Sequence, residues 1–168
     1  LIEARREVAR GDREAARVAA ARFAAPIAAL EALSRRAAVA RVLAAEARIG
    51  RADLICGWAA RLKDESLFRA ALDDAAAAAS RLDPAYEPLT WARAEVLRGQ
   101  VLTLWGEMLG DVDMVAAGAA ALAAAIDQLS RDHSPLDWAR AQVALGQALQ
   151  GLGEASAEPR AYEQAVTC

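Results

Sequence analysis

The segment Pro88-Leu89-Thr90-Trp91-Ala92-Arg93-Ala94 comes back as Pro135-Leu136-Asp137-Trp138-Ala139-Arg140-Ala141, 47 residues on. The match continues at the same offset: Gly99-Gln100 returns as Gly146-Gln147, Leu102 as Leu149, and Gly106-Glu107 as Gly153-Glu154. One offset held over about twenty positions is an internal repeat, and periods of roughly 20–50 residues belong to solenoids and arrays. In such chains each unit is too small to bury its own apolar face and must stack on a neighbour.

What each unit is made of follows from composition. Hydrophobic residues make up 56% of the chain but aromatics only 5%, and alanine alone is about a quarter. Alanine is the best helix former and lets helices approach closely. No alternating strand pattern of useful length occurs, so the expected fold is all-α, built of stacked antiparallel helix hairpins. Helices are expected from about Arg35 to Ala47, Leu67 to Leu82, Leu89 to Trp105, Met114 to Leu129 and Leu136 to Leu152, with a loop from Gly106 to Asp113. Ahead of them, a helix opened by Asp12 carries Ala16, Ala20 and Phe23 on one face and is ended or kinked by Pro26. Within the later helices Ala71, Ala75 and Ala78, and likewise Gly118, Leu122 and Ala125, fall on single stripes. Trp91, Ala94, Arg98, Leu102 and Trp105 share another face, and Trp91 and Trp138 read as core wedges. Gly99 and Gly146 lack a side chain where a neighbouring helix must come close.

A third, fainter copy is read in Arg51-Ala52-Asp53-Leu54-Ile55-Cys56-Gly57, aligned with Arg93 to Gly99 and Arg140 to Gly146. The organisation expected is therefore residues 1–49 as N-terminal helices (a degenerate repeat or cap), then repeats at 50–87, 88–134 and 135–168, the last truncated. An unfinished last repeat leaves an apolar face for a further repeat, a capping helix or another chain.

The chain resembles the tetratricopeptide (TPR) repeat family over about residues 50–168. The resemblance rests on the early Trp91 and Trp138, on Gly99 with Leu102 and Gly146 with Leu149, and on Gly118-Leu122-Ala125 followed by Pro135. Leu145-Gly146-Gln147-Ala148-Leu149-Gln150-Gly151-Leu152-Gly153-Glu154 is similar to the long, divergent bacterial variety. The period of 47 rather than 34 and Arg98 in place of Leu depart from the family pattern. The resemblance implies a right-handed superhelical solenoid whose first helices line a groove for peptides.

The residues on that expected face are Arg51, Leu54, Trp58 and Arg61; Arg93, Val96, Gln100 and Thr103; and Arg140, Val143, Gln147 and Gln150. Arginine presents a planar fork to carboxylates, glutamine donates and accepts, and Trp58 would be an aromatic anchor. The expected partner is a protein or peptide, with an acidic extended segment suited to the arginines. The same arginines would otherwise pair with acids on neighbouring helices, and Trp58 would be core. The leading function is thus a non-catalytic protein-interaction scaffold. A regulatory or sensor segment of a larger signalling protein or enzyme, and a self-association module forming a homodimer, are the alternatives.

Enzyme chemistry finds little to work with. His133 is the only histidine, which excludes His-pair zinc sites, and it reads as a solvated loop residue. Gly110-Asp111-Val112-Asp113 lacks the later ligands of a calcium loop and reads as a turn with a helix cap. Asp73-Asp74 reads as helix surface. No Gly-rich phosphate loop, Cys-x-x-Cys or nucleophile elbow occurs, so no cofactor, metal or catalytic residue is expected. Residues 1–70 carry 14 Arg and Lys against 9 acids, and residues 71–168 carry 6 against 14. The basic residues are interleaved with acids at helical spacing, so a solvated face is expected rather than a nucleic-acid site. No apolar stretch of about 20 residues or signal peptide is seen. Only Cys56 and Cys168 are present, so no structural disulfide and a cytoplasmic location are expected.

Overall fold

The computed structural model describes residues 13–34 and 38–156, together with Val166. Among the described residues the regular elements are all helices: α1 (Arg13–Ala21), α2 (Ala24–Ser34), α3 (Ala38–Leu62), α4 (Glu65–Ala79), α5 (Pro88–Leu109), α6 (Val112–Ile126) and α7 (Pro135–Ser156). They belong to two compact units, Leu1–Leu82 and Asp83–Cys168.

In the first unit α1 and α2 are separated by a turn at Arg22-Phe23. The break lies one turn upstream of Pro26, because proline has no N–H to bond the carbonyl of residue 22 and its ring crowds that carbonyl. Pro26 then sits harmlessly in the first turn of α2, where backbone N–H groups have no helical partner anyway. Phe23 is therefore in the turn rather than on the face of Ala16, and the buried α1 residues are Ala16 and Ala19. Helix α3 packs against α1, α2 and α4. It runs unbroken through Gly50 and Gly57, so the boundary expected at residue 50 falls inside a helix. Two glycines cost about 1 kcal/mol each relative to alanine, but α3 is otherwise rich in Ala, Leu and Arg and gains its packing along Ala52, Ile55, Cys56, Trp58 and Ala59.

The joint between α3 and α4 is tight. Lys63 is left-handed (φ 50°), and Asp64 caps α4 by accepting from the Ser66 backbone N–H at 2.9 Å. In the second unit the α5–α6 joint repeats this geometry. Gly110 is left-handed (φ 69°), and Asp111 caps α6 by accepting from the Met114 N–H at 3.0 Å. The loop expected from Gly106 therefore shrinks to Gly110-Asp111, with Gly106 buried inside α5.

These joints set the register of the repeat. Leu62, Lys63 and Asp64 stand 47 residues before Leu109, Gly110 and Asp111; α4 and α6 are both 15 residues long and also 47 apart. Helices α5 and α7, each 22 residues, keep the same offset. Buried Trp58 thus corresponds to buried Trp105, and Leu82 to Leu129. This corrects the alignment of Arg51 with Arg93, which was offset by 42: the structural counterpart of Arg51 is Arg98. Gly57 accordingly has open space around its Cα, whereas Gly99 is tightly enclosed.

Within the second unit α6 lies against both α5 and α7, and α5 also contacts α7. Gly118, Leu122 and Ala125 are buried along α6, as Ala71, Ala75 and Ala78 are along α4. Helix α7 buries Ala141, Ala144 and Ala148. That stripe is more deeply covered than Leu145, Leu149 and Leu152, which are half-buried, because small alanine side chains let the neighbouring helix come close. Trp91 and Trp138 are half-buried and pack around Ala92, Ala125, Leu129 and Ala141.

Candidate interaction surface

The residues expected to line a groove separate into three groups. Trp58 is 2% exposed and Thr103 is 5% exposed; neither is available to a partner. Trp58 is core, with Arg61 stacked on its ring at 5.4 Å, and among the described residues its Nε1 has no hydrogen-bond partner. Thr103 donates its hydroxyl to the Gly99 carbonyl at 2.9 Å and sits where α6 crosses, so close that a Cβ on Gly118 would lie 2.6 Å from its Oγ1.

The second group is the arginines engaged by carboxylates. Asp74, 4% exposed, accepts from Arg48 Nη1 at 2.8 Å and from Arg51 Nε at 2.5 Å, and Arg51 Nη2 closes the fork. Arg48 also donates to Glu31 at 2.8 Å, and Arg81 reaches Glu31 at 2.9 Å. This network ties α2, α3 and α4 together. The hydrogen bonds to Asp74 raise the Arg51 guanidinium above its ordinary value, against the opposing effect of burial. Asp74 is thus not helix surface; only Asp73 is exposed. In the second unit, buried Glu95 accepts from Arg98 on its own helix at 3.0 Å and 2.5 Å.

Arg93 belongs to this group and is the most informative member. It crosses from α5 to α7, donating through Nε to Asp137 Oδ1 at 3.1 Å and through Nη2 to Oδ2 at 2.8 Å. The side chains keep 39% and 17% of their exposure, so the pair contributes no more than about 1 kcal/mol. Its two-pronged geometry fixes position instead, holding α7 against α5 at one register. One turn further along α5, Val96 packs against two clusters, one holding Ala141 of α7 with Ala92, Ala125 and Leu129, the other holding Ala144 and Ala148 of α7 with Ala119 and Leu122. At the far end Glu107 lies over Gly151, where a Cβ would sit 2.7 Å from its Oε1. Burial, then the nearby charge of Glu154, raises the Glu107 carboxyl above the usual range. The face of α5 carrying Arg93, Val96 and Glu107 is therefore the seat of α7 and not an open groove.

The third group is open. Leu136 is 76% and Val143 62% exposed, and Arg140, Gln147 and Gln150 are exposed as well. Their spacing of four, three, four and three puts them on one face of α7. Gln150 donates to Glu154 at 2.9 Å. Arg61 is exposed too, and Gln100 is half-buried.

The other candidates carry no reaction geometry. His133 Nδ1 is 2.9 Å from the Ser130 hydroxyl in an exposed turn, where the His133 N–H also donates to Ser130 Oγ at 3.0 Å. Cys56 is buried and its thiol is pushed up to about 12 by desolvation and by the charge of Asp53, which leaves it a poor nucleophile. No group of metal-ligating side chains occurs among the described residues, and none of their helices is long and apolar enough to cross a membrane. A depression at Leu62, Lys63, Asp64 and Glu65 is lined by a carboxylate already committed to capping α4. Cys168 lies outside the described residues, and so does Glu158-Pro159, where the sequence predicts the start of a last helix with proline in its first turn. No protein-family model matches the chain, and no curated protein or solved structure matches it either.

Proposed function

We propose that this chain is a non-catalytic protein-interaction module of tetratricopeptide-like helical hairpins, and that it receives a protein partner on the open face of α7. The observation that carries the reading is the exposure of Leu136, Arg140 and Val143 on one face of a helix whose other faces are packed. Large exposed apolar residues grouped with arginine are characteristic of protein contact surfaces. The 47-residue register of joints, caps and buried tryptophans supports the array reading, in which hairpins stack into a right-handed solenoid.

This places the contact surface differently from a groove running along every first helix. On α5 the equivalent face is filled by α7. On α3, Trp58 is core and Arg51 is bound to Asp74. Arg140, Val143, Gln147 and Gln150 on α7 and Arg61 on α3 are the exposed members of the expected groove, and those on α7 share one helix face with Leu136.

The test compares the immobilised chain with a variant carrying Leu136→Asp, Arg140→Glu and Val143→Asp. Retention of a protein that the variant loses, reproduced with that protein purified, is the expected result. Equal retention by both chains, or a saturable small-molecule ligand with no retained protein, contradicts the proposal.

A further inference from the structure

The α5–α7 contact is a worked example of how this repeat holds its next helix, and α7 carries the same holding residues again. On α5, Leu89, Arg93, Val96, Gln100 and Glu107 lie along one face, with Arg93 forked onto Asp137 and Val96 packed against the two clusters that hold Ala141, Ala144 and Ala148. Forty-seven residues on, α7 repeats them as Leu136, Arg140, Val143, Gln147 and Glu154. There Arg140 and Val143 are exposed, and Arg140 has no carboxylate partner among the described residues.

We infer that the open face of α7 is a socket for a helix of another protein that carries a carboxylate followed by small residues four, seven, eleven and fourteen positions later. The inference rests on the interaction-module reading and adds the chemistry of the partner. The template is α7 itself, whose Asp137, Ala141, Ala144, Ala148 and Gly151 follow that spacing. Charge fixes the first contact: Arg140 requires an acid where Arg93 finds Asp137, and a bidentate fork selects a carboxylate over an amide. Shape fixes the rest: the buried residues of α7 in the clusters that Val96 packs against are all alanines, so a helix seated on Val143 is expected to present alanine- or glycine-sized residues there.

A second copy of the chain is not the occupant. The helix of this chain that fits, α7, already has Asp137 bound to Arg93 and its alanines buried.

The experiment uses a labelled synthetic peptide with the sequence of residues 135–154, held helical by a lactam between the positions of Val143 and Gln147, which face away from the socket. Fluorescence anisotropy is expected to show saturable binding to the intact chain, weakened about tenfold or more by Arg140→Glu in the chain and lost with Val143→Asp. A peptide carrying Asp137→Lys should fail on the wild-type chain and recover on the Arg140→Glu variant. Recovery on charge reversal is a readout that a general loss of folding would not produce. No binding, binding indifferent to Arg140→Glu, or a concentration-dependent dimer abolished by Arg140→Glu overturns the inference. A protein retained by the wild-type chain and lost from the α7 variant, in the absence of peptide binding, would overturn the socket chemistry while leaving the interaction-module reading in place.

Discussion

Gly99 of α5 and Gly118 of α6 face one another across the helix crossing, each so close that a Cβ added to it would stand 2.8 Å from the other's carbonyl oxygen. Backbone cannot yield as the end of a side chain can. Gly99→Ala and Gly118→Ala should therefore each destabilise the second unit by about 1–3 kcal/mol, the usual cost of overpacking. Gly57, whose added Cβ would meet nothing within 4 Å, makes the control: Gly57→Ala should stabilise by about 0.5–1 kcal/mol. Urea denaturation of the three variants checks both signs at once.

Removing Asp74 should be among the costliest single changes in the first unit. It leaves Arg48 and Arg51, which are 16% and 20% exposed, facing each other without their shared carboxylate. Breaking a buried pair from one side costs about 3–5 kcal/mol, and the partial exposure of the arginines puts Asp74→Ala at about 3 kcal/mol. Asp73→Ala, on the exposed neighbour, should stay within about 0.5 kcal/mol. Hydrogen exchange of the α3 amides distinguishes the two: loss of protection is expected in the first variant only.

Glu107 makes stability depend on pH in an unusual direction for a carboxylate. Its folded value is raised by burial and by Glu154, so folding favours the neutral form. Stability is fully present below the unfolded value, about pH 4.3, and part is lost as pH rises through the higher folded value. Glu107→Gln should thus match the wild type in melting temperature below about pH 4 and exceed it at pH 7. The gain will be small, because the carboxylate remains in contact with solvent. An equal or lower melting temperature for the variant at pH 7 would contradict the assignment.

How far the sequence shows the fold depends on which interaction sets each feature. Helix starts at Pro88 and Pro135, the cap at Asp111, and the buried stripes Ala71-Ala75-Ala78 and Gly118-Leu122-Ala125 are local, and all are found. The register of the first copy was obscured by a matching Arg-Ala pattern in a chain rich in both residues. Trp58 with Trp105, and Asp64 with Asp111, are the pairs that reveal it, since Lys63 hides the left-handed joint that Gly110 advertises. Which side of the first helices is open depends on a different kind of interaction. Helical periodicity shows that Arg93, Val96, Gln100 and Thr103 share a face. Whether that face meets solvent or the next first helix depends on how hairpins stack, and that is a long-range property. Asp137, 44 residues away, was the residue that answered it.

The most direct test of the account is chemical-shift mapping of the intact chain titrated with the peptide of residues 135–154. Perturbations are expected at Leu136, Arg140, Val143 and Gln147, with Arg93, Val96 and the Gly99–Gly118 crossing unmoved. Perturbations centred on α5 or α3, with Val143 unaffected, would contradict the claim that α7 presents again the face by which α5 holds it.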